Sequence, residues 1–87
     1  MKAYTVTWAS DAEAELARLY GDNPAIQAEI AWAANEIDRV LATTPAALGV
    51  SIGGNYRQAV VYPLSVLFNV LEADRRAHVI YVKYWTD

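Results

Sequence analysis

From Lys2 to Trp8 the side chains alternate, with Tyr4, Val6 and Trp8 on one side and Thr5 and Thr7 on the other, which predicts a strand. At Ser10 the period changes. Ser10-Asp11-Ala12-Glu13 has the form of a capping box, in which the Ser10 hydroxyl caps a helix and Glu13 reaches back to it. Ala12, Leu16, Leu19 and Tyr20 recur at helical spacing, so a helix is expected to about Tyr20, with Gly21 ending it through a left-handed backbone. Asn23-Pro24 opens a second helix, asparagine as its cap and proline at the first position, where a missing N–H costs nothing. Ile26, Ile30, Ala33, Ile37, Val40 and Leu41 form an apolar stripe, while Glu29, Trp32, Glu36 and Arg39 lie on another face. This helix is expected to about Ala42, because Pro45 prevents much continuation. A connection this short makes the two helices a hairpin.

The second half reads as β. Val50 to Ile52 is a short apolar piece leading into Gly53-Gly54-Asn55, a turn or bulge signal. Tyr56 to Tyr62 is a strand stopped by Pro63, and Val66 to Leu71 is the next, with Val66, Phe68 and Val70 on one face. Ala73-Asp74-Arg75-Arg76 reverses the chain, and His78 to Trp85 is the last strand. Loops this short force these three strands to be antiparallel, since a parallel crossover needs a dozen or more residues. The expected order is β-α-α-β-β-β: an α+β fold with a helical hairpin on one face of a mainly antiparallel sheet, the first strand pairing at either edge of the meander.

Length and composition narrow the function. The 87 residues form one expected domain, 1–87, and a chain of this size buries only ~60–65% of its unfolded surface. Yet 55% of the residues are apolar or aromatic and only 20% charged, a surplus that predicts exposed apolar surface for a partner. A homodimer accounts for that surplus equally well. The absence of cysteine excludes a disulfide scaffold and a cysteine nucleophile, and the single histidine, His78, argues against a histidine-built metal site. The glycines match no phosphate-binding loop, and no cofactor motif is found. With one histidine and no nucleophile turn, a hydrolase triad has little support. No apolar run approaches the ~18 residues of a membrane span, and no signal peptide precedes the first strand, so the cytoplasm is the expected compartment. Residues 1–43 carry three cations against seven carboxylates and residues 44–87 four against three, so a strongly basic nucleic-acid face is absent and no sequence-specific DNA binding is expected.

With these elements in order, the chain resembles the RelE/ParE toxins of bacterial type II toxin–antitoxin (plasmid stabilisation) systems. The resemblance rests on Tyr4-Thr5-Val6-Thr7-Trp8 leading into Ser10-Asp11-Ala12-Glu13, on Ile37-Asp38-Arg39-Val40-Leu41 before Pro45, on the arginine-led stretch from Tyr56 to Val70, and on Asp74-Arg75-Arg76 followed by Val79-Ile80-Tyr81-Val82. It covers essentially the whole chain. It implies the stable half of a two-gene module, held inactive by a labile antitoxin that adds a helix to a groove or a strand to a sheet edge. It also implies one of two actions on the same fold: cleavage of messenger RNA in the ribosomal A site, as in the RelE-like branch, or poisoning of DNA gyrase, as in the ParE-like branch.

RNA cleavage by 2′-OH attack needs a group to activate the hydroxyl, one to stabilise the phosphorane and one to protonate the leaving oxygen. The RelE-like branch resembles a cluster of Lys, Arg and Tyr or His on the sheet and chain end. Here the corresponding positions offer Arg57, Lys83, Tyr84 and His78, with uncharged Pro63, Leu64, Ser65 and Val66 where another cation is expected, and the chain ends at Asp87 before the last catalytic group. Alternation places Arg57 with Ala59 and Val61, and sets Tyr81, Lys83 and Trp85 opposite His78, Ile80, Val82 and Tyr84. If Arg57 and Lys83 share a face they bind one phosphate together; otherwise Arg57 is a sheet arginine paired to an acid and Lys83 a solvent-facing one. For partner binding the candidates are Trp32 and Arg39 on the helical half and Tyr81 and Trp85 on the last strand, because Trp, Tyr and Arg anchor interfaces. Trp8 and Trp85 alternatively seal the end of the sheet. The expectation is therefore a ParE-like toxin that acts by binding, with the RelE-like endonuclease and a non-toxic interaction protein of the same fold as alternatives.

Overall fold

Strand β1 (Thr5–Trp8) turns its Tyr4, Val6 and Trp8 side onto the core, as the alternation requires. The computed structural model describes residues 3–85, so the expected strand start at Lys2 and the chain end at Asp87 lie outside the described residues. Helix α1 (Ser10–Asp22) follows at once, but Ser10 does not cap it. Pairing of β1 with the last strand extends to the Ala9 N–H, which donates to the Val79 carbonyl at 2.8 Å. Ala9 is therefore the N-cap, its carbonyl accepting from Glu13 N–H at 2.9 Å, and Ser10 is already helical.

The far end of α1 also departs from expectation. Gly21 remains in the helix without a positive φ. Side chains satisfy the terminal carbonyls instead: Asn23 Nδ2 donates to Leu19 O at 2.8 Å and Gln27 Nε2 to Tyr20 O at 3.0 Å. Arg18 bonds both Glu15 and Asp22 across the last turns. Because Asn23 reaches backwards, it does not cap the next helix; Pro24–Ile26 makes a 3-10 turn and α2 (Gln27–Thr43) starts after it.

Beyond a second 3-10 turn at Pro45–Ala47 come β2 (Val50–Gly53), β3 (Tyr56–Val61), β4 (Leu64–Leu71) and β5 (Arg76–Tyr84). The architecture is the expected α+β one, a helical hairpin on one face of a mainly antiparallel sheet, with one strand more. The apolar piece at Val50 is itself a strand, because Gly53 and Gly54, at φ 126° and 57°, fold it back onto β3. The strand order is β1-β5-β4-β3-β2, with β1 parallel to β5 and every other pair antiparallel. The Tyr62–Pro63 peptide between β3 and β4 is cis.

Ala12 and Leu19 of α1, the stripe Ile30, Ala33, Ile37 and Leu41 of α2, and Ala59, Leu64, Val66, Phe68, Val70, Ala77, Val79 and Val82 of the sheet form one buried cluster. Both helices thus lie on the same side of the sheet, α1 against β5 and α2 across β1, β3 and β4. No helix among the described residues is long and apolar enough to cross a membrane.

Candidate functional site

Residues paired across neighbouring strands share a face of the sheet. On β4, Leu64, Val66, Phe68 and Val70 point into the core, which sends Ser65, Leu67, Asn69 and Leu71 to the opposite face. Register then builds that outer face in rows: Thr5, Arg76 and Leu71; Thr7, His78, Asn69 and Tyr56; Tyr81, Leu67 and Gln58; Lys83, Ser65 and Val60. Among the described residues no element packs over it. Tyr56, Val60 and Tyr81 are each about half exposed there, and the edge residues Val50 and Ile52 are exposed at 64% and 52%.

A bulge decides which side chains of β5 join this face. Leu67 pairs with Tyr81 but Phe68 with Val79, so Ile80 is an extra residue without a partner on β4. Ala77 and Val79 face the core before it, Val82 after it. Simple alternation therefore fails across Ile80: His78 lies on the same face as Tyr81 and Lys83, not opposite them.

Arg57 and Lys83 do not meet. Arg57 pairs with core-facing Phe68, whereas Lys83 pairs with outward Ser65, which puts the two cations on opposite faces. Nor is Arg57 paired to an acid among the described residues: its Nε donates to Leu48 O at 3.1 Å and its Nη2 to Gly49 O at 2.9 Å. It ties down the loop where Gly49, at φ 68°, passes so close to β3 that a Cβ would stand 2.1 Å from Gln58 O. Tyr84 pairs with Leu64 and packs against the core, and Trp85 is half-buried with its N–H on Pro63 O at 2.8 Å. Trp8, opposite Val79, donates its indole N–H to Asp38 Oδ1 at 2.7 Å, so the two tryptophans do not seal one sheet end together. Trp32, 59% exposed, stands on α2 with Arg39, seven residues and two helical turns further on. Arg39 is held by Glu36 at 2.9 and 2.6 Å, and this hydrogen-bonded guanidinium keeps the Glu36 carboxyl below its usual range.

The outer face thus gathers His78, Tyr81, Lys83 and Arg76, and leaves Arg57, Tyr84, Trp32 and Arg39 elsewhere. Three neighbours escaped the sequence reading. Thr7 Oγ1 lies 2.7 Å from His78 Nδ1 and fixes the imidazole, and Asn69, beside His78, holds a buried Oδ1 without a hydrogen-bond partner, with Tyr56 next to it. Of these three, only Asn69 carried a sequence signal, as an amide in an otherwise apolar strand. Among the described residues no three His, Cys, Asp or Glu converge as metal donors.

No protein-family model matches the chain, and no curated protein sequence matches it. Solved structures do. A chain of the RelBE2 toxin–antitoxin complex from Mycobacterium tuberculosis superposes with a TM-score of 0.78 at 19% identity, over 100% of this chain and 97% of that one. A chain of the chromosomal ParDE toxin–antitoxin system from P. aeruginosa gives 0.72 at 16% identity, over 97% and 98%. A chain of the archaeal RelE–RelB complex from Pyrococcus horikoshii OT3 gives 0.71 at 16%, over 94% of each. The fold is the RelE/ParE-like one.

Proposed function

We propose that this chain is the toxin of a type II toxin–antitoxin module, acts in the cytoplasm by occupying a surface of its target in the ParE-like manner, with DNA gyrase as the target, and is neutralised by a cognate antitoxin. The three solved structures described above come from toxin–antitoxin systems, of both RelE and ParE type. Since one fold serves both actions, the choice rests on side chains. The observation that carries it is the separation of Arg57 and Lys83 onto opposite faces, with Tyr56, Val60 and Tyr81 half exposed on the open face of the sheet. Such a surface binds by burying Tyr81, Tyr56 and Val60 rather than by gripping a phosphate. Tightly induced expression of the chain alone tests this. Growth arrest with induction of the DNA-damage response, and inhibition of gyrase supercoiling by purified protein, are the expected results. Normal growth with soluble, folded protein overturns it in favour of an interaction protein that harms nothing.

A second reading, the RelE-like ribosome-dependent mRNA endonuclease, has one observation in its favour. Thr7 orients His78 on the same face as Arg76, two residues before it on β5, and Lys83, two rows further along, so that face carries an imidazole to take a 2′-OH proton and two cations to draw a phosphate. Messenger RNA cut on stalled ribosomes by the native chain, and left whole by His78→Ala, would establish this reading in place of the first.

A further inference from the structure

Most described cations of this chain are engaged. Arg18 holds Glu15 and Asp22, Arg39 holds Glu36, Arg57 bonds the Leu48 and Gly49 carbonyls, and Arg75 lies over the Tyr4 ring. The remaining two, Arg76 and Lys83, are exposed and take no hydrogen-bond or ion-pair partner among the described residues. Both stand on the open face of the sheet, whose paired rows contain no carboxylate. The described carboxylates lie on α1, on α2 or in the Glu72–Asp74 turn. A chain of net charge −3 is thus polarised, with its unpaired cations on the one face that no element covers.

The spacing on that face is defined by the ladder. Arg76 pairs with Leu71 and Lys83 with Ser65, so the cations are ~20 Å apart along β4 at ~3.3 Å per residue. Tyr56 and Val60 stand on β3, two strands from β5, which puts this apolar line ~10 Å from the cationic one at ~4.8 Å per strand. Val50, opposite Gln58, extends the apolar side onto β2. Strands β3, β4 and β5 are interior, so their main-chain groups are taken up by neighbours on both sides and offer nothing to an extended peptide. A helix satisfies its own backbone, is ~10 Å across, and covers ~22 Å in four turns, which matches both separations. A nucleic acid matches less well, because its phosphates recur far more closely than ~20 Å and the chain as a whole is negative.

We propose that the target segment received by the open face is an acidic amphipathic helix laid along β4, with carboxylates about four turns apart meeting Arg76 and Lys83 and an apolar stripe resting on Tyr56 and Val60. The proposal rests on the toxin reading for its partner, but the sign of the charge and the spacing come from the face itself. The acidic helices on the other side of the molecule repel such a segment and steer it to this face.

Fluorescence anisotropy on the full chain tests it, with 18-residue helical peptides that share a Leu/Ala stripe and carry two Glu either about four or about two turns apart. A Lys peptide of the wider spacing and a single-stranded RNA of similar length complete the set. Expected is binding of the wider-spaced Glu peptide about five-fold or more tighter than any other probe, weakened at higher salt and by Arg76→Gln with Lys83→Gln. Both side chains are exposed and unpaired, so circular dichroism should show that variant folded. Tyr56→Ala should weaken the same peptide through the apolar line. Equal binding of the Lys peptide, tighter binding of the RNA, binding that survives the Gln pair, self-association that the Gln pair abolishes, or no binding at all would overturn the proposal. Growth arrest on expression is read separately. Arrest that the Gln pair leaves unchanged removes the acidic helix and keeps the toxin, whereas the Glu spacing preference without arrest removes the toxin and keeps the ligand class of the face.

Discussion

The Arg57 guanidinium donates to two loop carbonyls, and that bond pair holds the start of β2 against β3. Arg57→Ala should therefore cost about 1 kcal/mol in denaturant unfolding and speed amide exchange in β2, and Arg57→Lys should restore little, because an ammonium cannot span both oxygens. Gly49→Ala should be worse, since it combines a left-handed φ with a Cβ 2.1 Å from Gln58 O. The tie was hidden in the sequence because its acceptors are backbone atoms eight and nine residues away, which carry no residue signature. Tyr4 offers a pH test. Its hydroxyl donates to the Glu72 carboxylate at 2.9 and 3.1 Å, and that bond raises the phenol above its ordinary value of 10.0, with Arg75 over the ring at 4.9 Å. A raised folded-state value means the folded protein holds the proton more tightly. The contribution is complete below pH 10 and is lost as pH climbs through the raised value. The stability gap between the native chain and Tyr4→Phe should be constant from pH 7 to 9 and shrink above about pH 10, as read from urea midpoints.

At the scale of elements, the helices and the sheet respond differently to acid and to truncation. Glu15 and Glu36 lie below the usual carboxylate range through their bonds to Arg18 and Arg39, so what they contribute is present above about pH 4.5 and is lost as pH falls through the lowered values. The Glu15→Gln, Glu36→Gln double variant should show a shallower loss of helix signal below that pH. Phe68 is fully buried at the centre of β4, and Phe68→Ala should cost about 3–5 kcal/mol. Edge strand β2 is uncharged and exposed along its length, the arrangement that invites another strand, so Ile52→Lys should reduce aggregation without changing the unfolding midpoint. The helices and three longer strands were legible from their periods. The fourth strand of the meander was not, because Val50 to Gly53 has too few residues for alternation to speak and shows only two apolar side chains.

For the whole molecule, the helices cover one face of the sheet and leave the other open, which gives it two surfaces with different chemistry. The open face carries half-exposed Tyr56, Val60 and Tyr81 together with the cations Arg76 and Lys83; the helical side carries exposed Trp32 and the hollow between α1 and α2. Tyr56→Ala with Tyr81→Ala should abolish target inhibition and leave partner binding within about two-fold. Trp32→Ala, which removes an exposed indole from the helical side, should do the reverse. Pull-down against the partner and growth after induction measure the two properties separately, and loss of both in each variant would show that the surfaces are not independent.

Local chemistry in the sequence determined most elements and the class they form: the alternation of β1, the isoleucine stripe of α2, and the short polar loops that force antiparallel pairing are all short-range, and each acts within a few residues. Tertiary structure decided the rest. Whether β1 joined β5 or the far edge depended on how the helical hairpin returned to the sheet, and the resulting Val79 bond displaced Ser10 from its cap. The bulge at Ile80 arises from the fit of β5 against β4, and that single residue moves Tyr81 and Lys83 to the face of His78. Register errors of one residue invert every side chain beyond them. The elements were therefore readable in the chain, while the membership of the candidate site belonged to the sheet.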